Sequence, residues 1–171
     1  NAALEVLSET QSTDFSLREL ARRAGVSHNA PYKHFADKRE LLSAVSAVGF
    51  ERLAKRIADA TERLDNPRAR LSATARAYVC HGVENPALYR LMFGAYLSGP
   101  DVGRPAIERA AAEKTKQLLA SAITSGALGP PMPNTPRNER KIAAAILILW
   151  AQVHGLTLLL VDQLVGPATR P

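Results

Sequence analysis

The chain has 171 residues, 46% hydrophobic and 22% charged, with a formal charge of +6. That length holds one ordinary core or two small helical modules sharing one, and the balance reads as a soluble globular protein. The single cysteine, Cys80, excludes an intrachain disulfide framework and fits a reducing compartment; no CxxC pair or Cys/His cluster completes a zinc site, so neither metal nor cofactor is expected.

Period-2 alternation is almost absent, and apolar residues recur at three- and four-residue spacing between Pro, Gly, Asn and Asp, which predicts an all-α fold. A first helix is predicted over Ala2–Thr10, on Ala3, Leu4 and Leu7. Its pattern is already under way at Asn1, so the chain reads as a fragment preceded by a tail. A second helix starts at Ser16, whose hydroxyl caps the backbone, with Glu19 completing a capping box, and stops near Ala24. Gly25 permits a positive φ, Val26 fills the core, and Ser27 caps a third helix running to about Phe35. Asp37 and Glu40 form a second capping box, opening a long helix through Leu41, Leu42, Val45, Val48, Leu53 and Ile57 to about Leu64. At its ordinary rise such a helix spans roughly 40 Å, enough to link two modules.

The pairs Asn66-Pro67, Asn85-Pro86, Arg104-Pro105 and Thr135-Pro136 mark four more starts, because proline suits the first helical turn. About eight helices result, with loops at Gly99–Gly103 and Ser125–Pro136. The apolar run Ile142–Val161 is broken by Gln152, His154 and Gly155 and lies far from the N-terminus. It reads as a buried helix rather than a signal peptide or membrane span, and a cytoplasmic protein without a membrane partner is expected.

The positive charge is unevenly placed. Residues 1–65 hold ten Lys/Arg and ten Asp/Glu, whereas residues 66–171 hold twelve and six, so total charge says little about nucleic acid. Locally, Arg18, Arg22, Arg23, Lys33, Lys38 and Arg39 face only Glu19 and Asp37, a net +4 between Ser16 and Arg39. In the same stretch Ala21 leaves room for a neighbouring helix, Gly25 turns the chain four residues later, and Leu20, Ala24 and Val26 face a shared core. This is helix-turn-helix spacing, and an ordinary αα-corner is built the same way.

The continuation Ser-His-Asn-Ala-Pro-Tyr-Lys-His-Phe-Ala-Asp-Lys, Ser27 to Lys38, resembles the tetracycline-repressor (TetR) family pattern of a short recognition helix ending in Tyr-x-His-Phe. The likeness runs from about Ala3 to Val48. Two positions depart from the pattern: the glycine usual before the second helix is absent, and Pro31 stands inside the recognition helix. The resemblance implies that Tyr32 and Lys38 hold DNA phosphates, while His28, Asn29 and Lys33 address base edges. It also makes Arg18 a base contact from the preceding helix, Ser27 a contact at the recognition-helix start, and His34 a phosphate contact or else a packing or capping residue. Phe35 is expected in the core. Arg22 and Arg23 are equally well read as solvated charges.

In the second half, Tyr78 to Phe93 and Trp150-Ala-Gln-Val-His-Gly155 resemble the regulatory domain of a TetR subfamily named for a Trp-His-Gly signature, over about Ala69 to Leu164. The resemblance implies an apolar effector cavity with a few polar groups, walled by Tyr78, His81, Tyr89, Met92, Phe93, Tyr96, Trp150 and His154. Aromatic and Met residues at helical spacing also serve as plain core. Cys80 and His81 point about 100° apart on a helix and do not share a target. No nucleophile and base at workable spacing, paired carboxylates or phosphate-cradling loop suggests an enzyme.

The last helix is apolar nearly all round, with Ile142, Ile146 and Leu149 on one side and Ala144, Leu147, Ala151 and Leu158 on others. One core cannot bury every face of a peripheral helix, so a homodimer through the C-terminal helices is expected, as the resemblance also implies. The predicted protein is a ligand-responsive repressor that binds a palindromic double-stranded DNA operator. Residues 1–48 form its reading domain, and residues 49–171 its dimerisation domain and the seat of an unidentified small-molecule effector. The rival reading is a helical interaction module that has lost DNA binding.

Overall fold

The computed structural model describes residues 2–94, 106–125, 129 and 135–165. Among them seven α-helices and one 3₁₀ turn occur, and no strand. In order they are α1 (Ala2–Thr10), α2 (Leu17–Arg23), the 3₁₀ turn (Pro31–Lys33), α3 (Lys38–Thr61), α4 (Pro67–Glu84), α5 (Pro86–Phe93), α6 (Ala106–Thr124) and α7 (Pro136–Val161). The expected loop Gly99–Gly103 lies outside the described residues, as does most of Ser125–Pro136.

Helix starts follow local chemistry. The Ser16 hydroxyl accepts the Glu19 N–H at 3.1 Å, and Asp37 Oδ1 accepts the Glu40 N–H at 2.8 Å while Glu40 accepts from Ala36 at 2.6 Å. Both satisfy backbone donors that a helix cannot satisfy itself. The Glu19 carboxylate stands 3.6 Å from Arg23. Asn66 Oδ1 accepts from Arg68 at 2.9 Å and Ala69 at 3.1 Å, which fixes the start of α4.

The predicted third helix is not formed as such. Gly25 does take φ +67, and Val26 N–H reaches the Ala21 carbonyl at 3.0 Å, so the corner is built. Beyond it, Pro31 has no N–H to give the Ser27 carbonyl, which accepts from Ala30 at 2.9 Å instead. The segment becomes linked turns, with His34 and Phe35 both donating to Pro31 O at 3.0 and 2.9 Å. Val26 is consequently 49% exposed, Ala24 is exposed and Phe35 half-buried, where a shared core was expected; Leu20 and Ala21 are buried.

Packing divides the chain into two compact units, Asn1–Phe50 with Asn85–Ala112, and Glu51–Glu84 with Glu113–Pro171. The predicted division at residue 48 follows chain order, whereas packing returns α5 to α1. In the first unit Val6, Leu7, Leu17, Leu20, Leu42, Val45, Leu88, Tyr89 and Met92 are buried, and Phe93 meets Phe50 edge-on at 5.2 Å and Tyr89 at 4.8 Å. Gly49 lets α3 and α5 approach: a Cβ there would lie 2.6 Å from Met92 Sδ and 3.1 Å from Leu88 Cδ1, and Met92 has no exposed surface through which to withdraw. Gly49→Leu is therefore expected to lower the unfolding free energy by about 1–3 kcal/mol, despite the better helix propensity of Leu, as urea titration would show.

In the second unit α4 packs on α7, and Leu53, Ile57, Thr74, Tyr78, His81, Ile142, Thr157 and Leu160 are buried. Arg56 on α3 makes a two-pronged ion pair with Glu84 in the last turn of α4, Nη2 to Oε1 at 2.8 Å. The core of the single chain buries the last helix on one side only, through Ile142, Thr157, Leu160 and Val161. Leu147 and Ile148 are each 60% exposed, Leu156 43% and Leu159 41%. By length and composition Asn138–Val161 is apolar enough to cross a membrane, and 17% of its most apolar stretch is buried.

Candidate nucleic-acid interface

The first unit places two helix N-termini beside one surface that carries Phe15, Tyr32 and Lys38. Ser16 ends an extended segment and starts α2; Asp37 starts α3; the 3₁₀ turn lies between them in sequence. Their residues line an open cleft of about 580 Å³ that includes Ser16, Leu17, Tyr32, Ala36, Asp37 and Lys38. The Tyr32 phenol and the Lys38 ammonium suit phosphate oxygens, while the Glu19 and Glu40 backbone N–H groups at the two helix starts are taken by Ser16 and Asp37. Asp14, Glu19 and Asp37 on the same wall oppose an anion, so the ammonium's placement matters. Lys38 Nζ lies over the ring of Phe15, 5.4 Å from its centroid.

The residues expected to touch DNA come together on this unit. Tyr32 and Lys33 occupy the 3₁₀ turn, with Tyr32 50% exposed. Ser27, His28, Asn29 and His34 are exposed on the turns flanking it, and Arg18 is exposed on the first turn of α2. Arg23, equally well read from the sequence as a solvated charge, pairs with Glu9 and so ties α2 to α1. Sequence reasoning gives Phe15 no role, although it lies within the Ala3 to Val48 stretch over which the family resemblance runs.

The residues expected to line an effector cavity fall into two groups. Tyr78, Trp150 and His154 meet in the second unit. Trp150 Nε1–H donates to the Tyr78 hydroxyl at 3.2 Å, and that hydroxyl lies 3.3 Å from His154 Nδ1. The Trp150 and His154 rings stack at 5.0 Å, and burial holds the His154 imidazole below its ordinary pKa. His81 is 3% exposed; burial first, and then the charge of Arg56, push its pKa down to about 4. Tyr89, Met92 and Phe93 belong to the first unit, where Tyr89 and Met92 are fully buried. Tyr96 lies outside the described residues. Among the described residues no group of three or more His, Cys, Asp or Glu is placed to hold a metal ion.

Two family models match. "Tetracyclin repressor-like, C-terminal domain" covers residues 71–170, and "Bacterial regulatory proteins, tetR family" covers residues 1–45. The chain is 32% identical over 102 residues to the HTH-type transcriptional activator FasR of Mycolicibacterium smegmatis, a match covering 59% of this chain and 47% of that protein. It thus spans about half the length of that relative. A protein of unknown function from Rhodococcus sp. RHA1 superposes with TM-score 0.79 at 31% identity, over 99% of this chain and 82% of the other. The TetR family regulator PfmR of Thermus thermophilus does so with TM-score 0.65 at 19% identity, over 91% and 82%, a likeness of fold.

Proposed function

The chain belongs to the TetR family of DNA-binding transcriptional regulators, and from this we propose that it acts as a homodimer on a palindromic operator, releasing it when a small molecule occupies the second unit. The observation that carries the DNA-reading part is the cleft shared by Tyr32, Lys38 and the N-termini of α2 and α3. Tyr32 and Lys38 position the protein on phosphates; exposed His28, Asn29 and Lys33 reach base edges, with Arg18 beside them. Reading proceeds from a turn rather than a full recognition helix, because Pro31 sets the hydrogen-bond pattern there.

The dimer uses the exposed stripe of α7. Ala144, Ala151 and Gly155 share the face of Leu147, Ile148 and Leu159, and small residues allow a second helix to approach closely. Two reading units then address half-sites roughly 34 Å apart. The effector contacts Tyr78, Trp150 and His154, whose shared hydrogen bonds join α4 to α7. It needs only to favour the dimer shape in which the reading units no longer match the operator spacing. Repression is our reading of the sign. FasR is described as an activator, and operator position relative to the promoter decides between the two, which a reporter fusion would read.

The test is binding of the purified protein to the DNA upstream of its own gene across a salt series. Lys38→Ala is expected to weaken binding uniformly across sequences and to flatten the salt slope by about one; Tyr32→Phe, which removes one phosphate hydrogen bond, should cost roughly three- to tenfold. Equal, weak and mutation-insensitive binding to every duplex would overturn the proposal in favour of a helical interaction module.

A further inference from the structure

A lysine ammonium on a four-carbon stem is a mobile charge, and three carboxylates line the cleft it serves: Asp14, Glu19 and Asp37. Attraction to any of them would turn the ammonium away from an incoming phosphate. The ammonium rests over an aromatic face instead, with Nζ 5.4 Å from the Phe15 centroid. Phe15 is 6% exposed and immediately precedes Ser16, the cap of α2, and its own N–H is bonded to Thr13 O at 3.0 Å. Its ring therefore has little freedom. Lys38 begins α3, so the contact also spans from the start of α2 to the start of α3.

Resting on the DNA-binding reading above, we propose that Phe15 is a positioning residue for phosphate recognition, its ring face holding the Lys38 ammonium at the cleft between the N-termini of α2 and α3. A ring quadrupole suits this task better than a carboxylate would. It attracts the cation without neutralising it, and leaves its N–H donors available to phosphate oxygens. The carboxylates keep a second function, penalising an anion that arrives without meeting the held ammonium.

The experiment is duplex binding across a salt series for the wild type, Phe15→Leu, Phe15→Trp, Lys38→Ala and the Phe15→Leu/Lys38→Ala double variant, each checked by thermal melting. Phe15→Leu should weaken binding roughly two- to fivefold, and Phe15→Trp should match or exceed the wild type. In the Lys38→Ala background Phe15→Leu should have no further effect. Replacing Phe15 with 3,4,5-trifluorophenylalanine keeps the ring's shape and drains its face of negative charge, so it should reproduce the leucine result even if the leucine variant folds poorly. Additive losses in the double variant, or a trifluoro variant that binds like the wild type, would overturn the inference while leaving the DNA-binding reading standing. Unchanged binding by Lys38→Ala would overturn the inference alone, whereas equal, weak binding of the wild type to every duplex would overturn both.

Discussion

Introducing glutamate at Leu147 and Ile148 together is expected to convert the proposed dimer into folded monomers and to lower affinity for its proposed operator by roughly a hundredfold to ten-thousandfold, the range by which linking two modest contacts exceeds one. Both side chains are 60% exposed on a single chain, so their own fold loses little when they change. In a two-fold interface every substitution acts twice, and the pair from each chain would bring four carboxylates into one apolar seam. Each reading unit would then hold a half-site alone. Light scattering would report the mass and fluorescence anisotropy the affinity, with the melting temperature extrapolated to low concentration as the control on folding. A variant that remains dimeric would remove α7 from the interface.

Acid should destabilise the second unit through His81. The group is 3% exposed and its pKa falls from the ordinary 6.5 to about 4, chiefly because burial penalises the charged imidazole. Between those two values the unfolded chain binds a proton that the folded chain refuses, so stability declines as pH drops from about 6.5 towards about 4 and is fully present above that window. The whole effect amounts to about 3 kcal/mol. His154, also lowered by burial, contributes with the same sign. Glu84 is held low by its hydrogen bond from Arg56, and this stabilisation too fades in acid as the carboxylate is protonated. Melting curves from pH 7.5 to 4.5 would show the decline, and His81→Gln should remove much of it. An equally steep decline in that variant would assign the acid response elsewhere.

Much of this molecule is legible in its residues, for identifiable reasons. Helix starts rest on short-range chemistry, so Ser16, Asp37 and Asn66 mark them within the sequence itself, and the bounds of α1 follow from its apolar period. The third helix departs from expectation because the capping signal at Ser27 is outweighed by one missing donor at Pro31; once that donor is absent the turn tightens, and the burial expected of Ala24 and Val26 does not develop. The pairing of Lys38 with Phe15 is invisible to spacing arguments, because 23 residues and a chain reversal separate the partners. The hydrogen bonds that join Trp150 and His154 to the Tyr78 hydroxyl reach across more than seventy residues, and only tertiary packing of α4 on α7 reveals them.

The exposed turns proposed here to read DNA have an evolutionary corollary. Ser27, His28, Asn29 and Lys33 stand in solvent, and exposed positions of this kind tolerate exchange within about 0.5 kcal/mol of folding stability. Operator preference can therefore drift after gene duplication without first acquiring compensating core changes, and paralogues can part company at the DNA while keeping one scaffold. For the same reason a library randomised at 28, 29 and 33 should consist almost wholly of folded members, so that differences in what they select report base preference rather than survival of the fold.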